Sequence, residues 1–186
     1  MGTYATINNR TDWHERLPMK KILVAYQSKY GATAEIAEAV GKTLRDKGFE
    51  VQVATAESVS DIGSYDGIVL GSAVYAGSWQ GGAVDFLKKF ASGLQVKQVW
   101  IFSSGPTGEG DTVEQMKGWL YPEAIKPFIE QVKPVDIALF HGKLELDAVN
   151  FAEKLIIKAM RAPTGDFRKW DTIEAWAADI AETISA

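Results

Sequence analysis

The chain contains no cysteine and only two histidines, His14 and His141. The absence of cysteine excludes disulfides, catalytic thiols, iron–sulfur clusters and thiolate metal sites. Two histidines are too few for the usual tetrahedral zinc site. The sequence therefore gives no indication of a resident metal.

A basic surplus and long apolar runs are also missing. The net charge of -4 and the pI near 5.3 argue against general nucleic-acid binding, which normally requires a basic surface. No apolar run approaches the roughly 18 residues of a membrane span. Residues 1–18 lack the apolar core of a signal peptide. These features predict a cytoplasmic protein.

The length of 186 residues and the 46% hydrophobic content suit one compact domain. Residues 1–18 are polar and aperiodic, whereas "MKKILVAY" from Met19 has the pattern of a buried strand. We therefore interpret 1–18 as an N-terminal extension or cloning remnant and 19–186 as the domain. The alternative for 1–18 is a native arm that packs on the domain.

Apolar strand patterns alternate with helical ones along the domain. Strands are predicted at 21–26, 49–54, 67–73, 98–104 and 135–140, and helical stripes lie within 36–44, 83–94, 124–133 and 172–184. Lys47 and Gly48 are expected to end the first helix, and Asp171 or Thr172 is expected to cap the last. Strands that are apolar on both faces are typical of a parallel sheet covered by helices. The sequence thus predicts a three-layer, doubly wound α/β fold with five parallel strands, either in the order 2-1-3-4-5 or as a Rossmann half-fold.

The first candidate loop is "SKYGAT", Ser28–Thr33, which follows the first strand. A helix N-terminus offers unpaired amides and the positive end of the helix dipole to a phosphate, without needing a cationic side chain. Gly31 permits a positive φ, and the hydroxyls of Ser28 and Thr33 can donate to phosphate oxygens. Simple capping of the helix by these hydroxyls is the alternative.

Other phosphate motifs do not match. No G-x-G-x-x-G follows the first strand, and "GKT" at 41–43 lacks the upstream glycine of a P-loop because Ile36 stands there. A phosphoryl-accepting receiver domain would need acidic residues where Tyr26, Gln27 and Ser28 lie. These observations favour binding of a phosphomonoester.

The second candidate loop is "SAVYAGSW", Ser72–Trp79. Tyr75 and Trp79 present aromatic faces suited to stacking on a flat ligand. Gly77 leaves one peptide free to reorient. The alternative is that both aromatic side chains simply cover the end of the sheet.

The third candidate loop is "SSGPTGEGD", Ser103–Asp111. Its glycines, Pro106 and hydroxyls suit a rigid backbone lining for the edge of a heterocycle, although an ordinary exposed turn would have the same composition. All three loops follow strands at one rim of the sheet. A phosphate nest beside an aromatic slot is the combination that flavin mononucleotide (FMN) requires.

The chain resembles the flavodoxin-like, FMN-binding family over about residues 20–184. The matching residues of the first loop are Ser28, Tyr30, Gly31, Ala32 and Thr33, with Tyr30 standing where flavodoxins commonly carry threonine. "GSAVYAGSW" (71–79) and "DFRKWDTIEAWAADIA" (166–181) are similar to the flavodoxin-domain branch that includes the menaquinone-dependent protoporphyrinogen IX dehydrogenases.

The resemblance implies a set of cofactor-binding residues, with a backbone group near Ala76 or Gly77 beside the flavin N5. The implied set is Ser28, Tyr30, Gly31, Ala32, Thr33, Ala73, Val74, Tyr75, Ala76, Gly77, Ser104, Gly105, Pro106 and Thr107. No catalytic residue is assigned. Glu109 and Asp111 are expected to be solvated loop charges, with approach to the ring as the alternative, and His141 is a weak candidate proton donor.

Residues 150–170 form an insertion between the fifth strand and the last helix. Its apolar helical face comprises Phe151, Ala152, Leu155, Ile156 and Ala159, and Ile157 falls off this stripe, where it is expected to be exposed. Lys154, Lys158 and Arg161 make a basic patch that fits an anionic substrate, a redox partner or peripheral contact with a membrane. Packing of this helix on its own domain is the alternative, whereas the resemblance implies contact with membrane and substrate.

The leading hypothesis is an FMN-dependent oxidoreductase that passes electrons to a quinone or a redox partner protein. The first alternative is a small FMN electron carrier without a substrate site of its own. The second is an interaction domain that has lost the flavin. The sequence does not indicate an oligomeric state.

Overall fold

The computed structural model describes residues 19–186, and the predicted extension 1–18 lies outside the described residues. The strands are β1 (Lys21–Gln27), β2 (Glu50–Thr55), β3 (Gly67–Tyr75), β4 (Ser78–Trp79), β5 (Gln98–Ser104), β6 (Asp136–Phe140), β7 (Lys143–Leu144) and β8 (Gly165–Asp166). Five of them form a parallel sheet in the order β2-β1-β3-β5-β6. Numbered along the parallel strands alone, this order is the predicted 2-1-3-4-5, which decides against the Rossmann half-fold.

Two short antiparallel pairings accompany the parallel sheet. β4 pairs antiparallel with the end of β3, so that β3 and β4 form a hairpin. β7 and β8 form a separate antiparallel pair of two residues each. The prediction of five strands therefore holds for the parallel part of the structure.

Helices cover both faces of the sheet, as the doubly wound prediction requires. They are α1 (Ala32–Asp46), α2 (Gly81–Leu94), α3 (Thr112–Gln115), α4 (Lys126–Val132), α5 (Phe151–Met160) and α6 (Trp170–Ser185). α1 and α6 pack on one face, and α2 and α4 pack on the other. No helix in the described part of the chain is both long and apolar enough to span a membrane.

Alternation along the buried strands builds one core on each face. In β1, Leu23 packs toward α2 and α4, whereas Ile22 and Val24 pack toward α1 and α6. The same two-residue period places Ile101 of β5 on the first face and Trp100 on the second. The central strands are therefore apolar on both faces because each face is covered by a layer of helices.

Two helix ends differ in how well they were predicted. α1 ends at Asp46, and Gly48 adopts the left-handed conformation (φ 94°) expected of a glycine stop. The prediction that Asp171 or Thr172 caps α6 is wrong, because α6 begins at Trp170 and no side chain caps it at Lys169. Asp171 instead lies in the first turn, where its negative charge interacts favourably with the positive end of the helix dipole.

A close approach between neighbouring strands explains the glycine in the middle of β3. Gly71 pairs with Phe102 of β5, and the Phe102 ring lies over it so closely that a Cβ at Gly71 would overlap the ring carbons. Phe102 in turn packs against Phe140 and Trp176. The absence of a side chain at 71 thus makes room for an aromatic cluster.

We expect Gly71→Ala to lower the free energy of unfolding by about 1–3 kcal/mol, because overpacking forces the Phe102 ring to move. Urea denaturation followed by circular dichroism measures the change. Gly81→Ala is the matched control, since Gly81 is exposed and a Cβ added there would meet no atom within 4 Å. Equal stability of the two variants would contradict this account of the Gly71–Phe102 contact.

Candidate functional site

The carboxyl ends of β1, β3 and β5 meet around one open cleft with a cavity volume of about 160 Å³. Ten of the fourteen predicted site residues line it: Ser28, Tyr30, Ala32, Thr33, Ala73, Val74, Tyr75, Ser104, Gly105 and Thr107. Gly31, Ala76, Gly77 and Pro106 belong to the same loops but do not line the cleft.

The first loop leaves the start of α1 uncapped. Gly31 occupies the N-cap position with φ 89°, and no side chain caps the helix. The hydroxyl of Ser28 accepts a hydrogen bond from the Gly31 amide at 2.9 Å, outside the helix itself. The simple capping alternative therefore does not apply to this helix.

Ala32 and Thr33, which begin the first helical turn and line the cleft, have amides without a partner in the described part of the chain. The first bond into α1 runs from the Glu35 amide to the Gly31 carbonyl, and within residues 19–186 nothing accepts from the amides of Ala32 and Thr33. Such amides carry the positive end of the helix dipole. The start of α1 is thus suited to an anionic group.

The floor of the cleft joins the first loop to the third. The hydroxyls of Thr33 and Ser104 lie 2.8 Å apart and share a hydrogen bond. Both residues are almost completely buried, at 1% and 3% exposure. The two hydroxyls are therefore held in place where the first turn of α1 meets the end of β5.

The second loop is a tight hairpin. Tyr75 of β3 pairs with Ser78 of β4, which leaves Ala76 and Gly77 as a two-residue turn. Both turn residues have positive φ, 49° and 75°, as a type I′ turn requires. An alanine in this left-handed region costs about 1–2 kcal/mol. The hairpin tip is exposed and stands beside the cleft.

Of the two aromatic residues predicted to shield a flat ligand, only Tyr75 lines the cleft. The expectation for Trp79 is wrong, because its indole is buried in the core under α2. Its Nε1 donates a hydrogen bond to the Ser103 hydroxyl at 3.0 Å. Since β4 pairs with β3, Trp79 is turned inward across the sheet end, which is the alternative that the sequence left open.

The third loop is held from behind by His141. Its Nδ1 lies 3.3 Å from the Pro106 carbonyl and its Nε2 lies 3.0 Å from the Gly110 carbonyl. The Gly142 amide also donates to the Pro106 carbonyl at 2.9 Å. His141 is buried and does not line the cleft, so the geometry favours a loop support over a proton donor.

The acidic residues of the third loop face solvent. Glu109 and Asp111 are exposed and do not line the cleft. The Asp111 carboxylate caps α3 by accepting from the Glu114 amide at 2.9 Å. The expectation that these are solvated loop charges is therefore in agreement with the structure.

Sequence reasoning missed a second wall of the cleft. Gly142, Lys143 and Leu144, which follow β6, line it together with Ile157 of α5. The expectation that Ile157 is exposed is wrong, because it is half-buried against the cleft. The position of 142–144 after a parallel strand was a usable signal, since ligands bind beyond the carboxyl ends of such strands.

The missed cation of the first loop is Lys29, which lines the cleft and forms a cluster with Tyr30, Tyr75 and Glu153. The Glu153 carboxylate accepts hydrogen bonds from Lys29 Nζ (2.7 Å), the Tyr30 hydroxyl (2.5 Å) and the Tyr75 hydroxyl (2.9 Å). Lys29 Nζ also lies 3.3 Å from the centre of the Tyr75 ring, a cation–π contact.

The pKa values of this cluster keep both charges in place. Hydrogen bonds from Lys29 and then from Tyr30 lower the pKa of Glu153 to about 2. For Lys29, desolvation is the largest single effect and works against the charged form, but hydrogen bonding to Glu153 and Tyr30 together with electrostatic attraction to Tyr30 and Tyr75 outweighs it and raises the pKa to about 12. Lys29 and Glu153 therefore stay ionised as a pair across the neutral pH range.

The orientation of α5 differs from a helix that packs its apolar face on the domain. Phe151 is 76% exposed and Leu155 is 54% exposed, and Ala152 and Ala159 are exposed beside them. The side chain of Ile156, predicted on the same face, lies outside what the structure describes. The apolar face thus points away from the cleft.

Arg168 ties the insertion to the start of α1. Its guanidinium bonds Asp166 at 2.6 and 2.8 Å, Glu35 at 2.8 Å and the Ala32 carbonyl at 3.2 Å. Its side chain is almost completely buried. The Arg168 guanidinium thus holds the first turn of α1 through the Ala32 carbonyl and the Glu35 carboxylate.

Comparisons with known proteins agree with this architecture. A family model described as "Flavodoxin domain" matches residues 23–171. Similar solved structures include a flavodoxin from the domain Archaea (20% identity, 89% of this chain and 99% of that chain, TM-score 0.61) and oxidised flavodoxin 2 from Bacillus cereus (23%, 88% and 99%, 0.56). A third is rubredoxin oxygen:oxidoreductase from Desulfovibrio gigas (14%, 92% and 37%, 0.59). Since the matched region covers most of the sequence, this chain belongs to the flavodoxin domain family.

Proposed function

We propose that this protein binds FMN in the cleft and transfers electrons through it. The observation that carries the proposal is the uncapped start of α1, whose unpaired amides and buried hydroxyls open into a cleft with an aromatic side wall. A phosphomonoester fits such amides without a cationic side chain. The family membership supports the same conclusion.

The residues divide into those for the phosphate and those for the ring. The amides of Ala32 and Thr33 and the hydroxyls of Ser28 and Thr33 would hold the phosphate. The second and third loops, with Tyr75 on one side and backbone groups of 104–107 on the other, would hold the isoalloxazine. In this division the ring would lie between two loops, which Trp79 and His141 support, respectively.

Bound FMN supplies one- and two-electron chemistry, and the protein supplies position, charge and exclusion of water. A backbone carbonyl of the hairpin tip at Ala76–Gly77, beside the cleft, would accept a hydrogen bond from a protonated ring nitrogen. Because Gly77 tolerates both signs of φ, the 76–77 peptide can reorient at low cost. Tyr75 and Val74 would limit access of water to the same side.

The finer proposal is an oxidoreductase that delivers electrons to a quinone, as in protoporphyrinogen dehydrogenases. The apolar wall made by Leu144 and Ile157 supports it, because these side chains extend the cleft beyond the three loops. A small electron carrier is the second candidate. The names of the similar structures, two of them flavodoxins, favour that candidate.

A related proposal concerns residues 150–170, which we propose contact a membrane surface peripherally. Exposed Phe151 and Leu155 would enter the lipid boundary, and exposed Lys158 and Arg161 would attract anionic headgroups. A redox partner protein could bind the same surface through the same apolar and basic side chains. The net charge of -4 and the acidic remainder of the chain give no support to nucleic acid as a partner.

Thr33→Ala is expected to raise the Kd for FMN roughly 10- to 100-fold, since a hydrogen bond to a charged group contributes about 1.5–3 kcal/mol. Quenching of flavin fluorescence during titration of the apoprotein gives the Kd. Thr43→Ala, in the same helix but away from the cleft, is the matched control and should leave the Kd unchanged. Equal Kd values for the two variants would contradict the hydroxyl assignment, and no uptake of FMN by the wild type would contradict the proposed function.

An oxidoreductase should oxidise a reduced donor and pass the electrons to a soluble naphthoquinone with saturation in quinone concentration. Stopped-flow absorbance of the photoreduced flavoprotein measures this rate. Substitution of Leu144 by Ser is expected to raise the apparent KM for quinone several-fold, because it removes an apolar wall of the cleft. Electron transfer to protein acceptors alone, without saturable quinone reduction, would favour the carrier.

The double variant Phe151→Ser/Leu155→Ser is expected to bind vesicles containing anionic lipid at least about tenfold more weakly, because each buried apolar side chain contributes about 1.5–3 kcal/mol. Cosedimentation with vesicles measures the binding. The matched control is Val96→Ser/Val135→Ser, which removes two exposed apolar side chains from the opposite rim of the sheet. Equal loss in both variants, or no vesicle binding by the wild type, would count against this surface.

A further inference from the structure

We propose that Glu153 is a latch that holds α5 closed over the FMN cleft and thereby sets the rate at which the cofactor enters and leaves. The proposal rests on the proposed function, because the cleft beneath α5 is the one assigned to FMN. Glu153 is a positioning residue in this account, since it acts through the loops and through α5.

One carboxylate joins three separate segments of the chain. Oε1 accepts from Lys29 of the first loop and Tyr75 of the second, and Oε2 accepts from Tyr30 of the first loop. Oε2 also accepts from the Asn150 amide, while the Asn150 side chain accepts from the Glu153 amide. The latch is therefore built into the capping box of α5.

The same contacts fix the side chains at the cleft mouth. Lys29 Nζ lies over the Tyr75 ring at 3.3 Å and near the Tyr30 ring at 5.2 Å. The two tyrosine rings meet edge to face with their centres 6.3 Å apart. Because both hydroxyls bond Glu153, the two tyrosine side chains keep their positions while α5 stays docked. Closing the helix thus orders the mouth.

Among the side chains of α5 that the structure describes, the large apolar ones contribute little packing: Phe151 and Leu155 face solvent, and Ile157 is half-buried in the cleft wall. Contacts of this kind, with few buried apolar groups, open at low free-energy cost. The polar cluster around Glu153 therefore contributes to the docking of α5.

The connections at the base of α5 allow it to move as a unit. The segment 145–164 begins after β7 and returns at β8, and these two strands pair with each other. Arg168 anchors β8 to the first turn of α1 through Asp166 and the Ala32 carbonyl. Opening of α5 can thus leave the parallel sheet and the first loop in place.

The position of α5 over the cleft explains why the latch would affect the rates of FMN binding and release. Ile157 lines the cleft together with Thr33 and Ser104 at its floor, so α5 lies over the proposed cofactor residues. A ligand seated beneath it must wait for the helix to move before it can leave, and a free ligand must wait before it can enter. A latch of this kind changes both rates in the same direction.

The Glu153→Gln substitution tests the latch without removing the N-terminal cap of α5. Glutamine at this position can still complete the capping box, but it loses the ion pair with Lys29. Asn150→Ala is the matched control, because it removes the cap side chain and keeps the carboxylate. Neither residue lines the cleft.

The experiment has two arms on the full chain. Hydrogen exchange of the amides of 151–160 is measured in the apoprotein, and the association and dissociation rates of FMN are measured by flavin fluorescence, with an excess of a scavenging apoflavodoxin for release. We expect Glu153→Gln to speed exchange of α5 and to raise both FMN rates at least about fivefold, with a smaller change in Kd. Asn150→Ala should fray the first turn of α5 with little change in the FMN rates.

Three results would overturn the latch: unchanged exchange of α5 in Glu153→Gln, unchanged FMN rates despite faster exchange, or an equal effect of Asn150→Ala on those rates. Failure of the wild type to take up FMN would be a different result. It would remove the proposed function itself, while the exchange arm would still show whether Glu153 holds α5 down.

Discussion

The arrangement of the cleft depends on one constraint, the unpaired amides at the start of α1. β1 is buried on both faces, so its carboxyl end delivers the chain to the rim of the sheet at a fixed place, and Gly31 turns it into the helix with φ 89°. The hydroxyls that could have capped the helix bond elsewhere, Ser28 to the Gly31 amide and Thr33 to Ser104. An anion can then be held by free peptide groups, with help from these hydroxyls and without a cationic side chain. Consequently Lys29, the cation of the first loop, is available to pair with Glu153 instead.

The insertion that follows β6 gives α5 two faces with opposite roles. Its inward side carries the Glu153 carboxylate and Ile157, and its outward side carries Phe151 and Leu155. An amphipathic helix of a globular domain normally buries its apolar stripe. Here the polar side is buried because the Glu153 carboxylate accepts hydrogen bonds from three donors on neighbouring loops, and these bonds compensate for its loss of hydration. The exposed apolar stripe is the part of this helix that intramolecular packing leaves unexplained.

Much of the fold could be predicted from the sequence because it follows from local patterns. Runs such as "ILVAY" are apolar on both faces, and burial on both faces follows in a parallel sheet. The positions of the three loops follow from the same alternation. The site was less predictable where a residue's role depends on a distant partner: Lys29 and Glu153 are separated by 124 positions, and Trp79 turns inward because of Ser103 and the β3–β4 hairpin. The exposure expected of Ile157 was wrong for this reason, since periodicity gives a face of α5 but not the direction in which that face points.

The two proposals for α5 are coupled because they concern opposite sides of a single ten-residue helix. A surface that binds Phe151 and Leu155 only when α5 is docked would stabilise the closed state, and it would slow the loss of FMN. A surface that draws α5 away would have the opposite effect and would open the cleft. By thermodynamic linkage, bound cofactor must change the affinity for that surface by the same factor. Measuring vesicle binding with and without FMN, in the wild type and in Glu153→Gln, therefore determines which of the two states the outward face prefers.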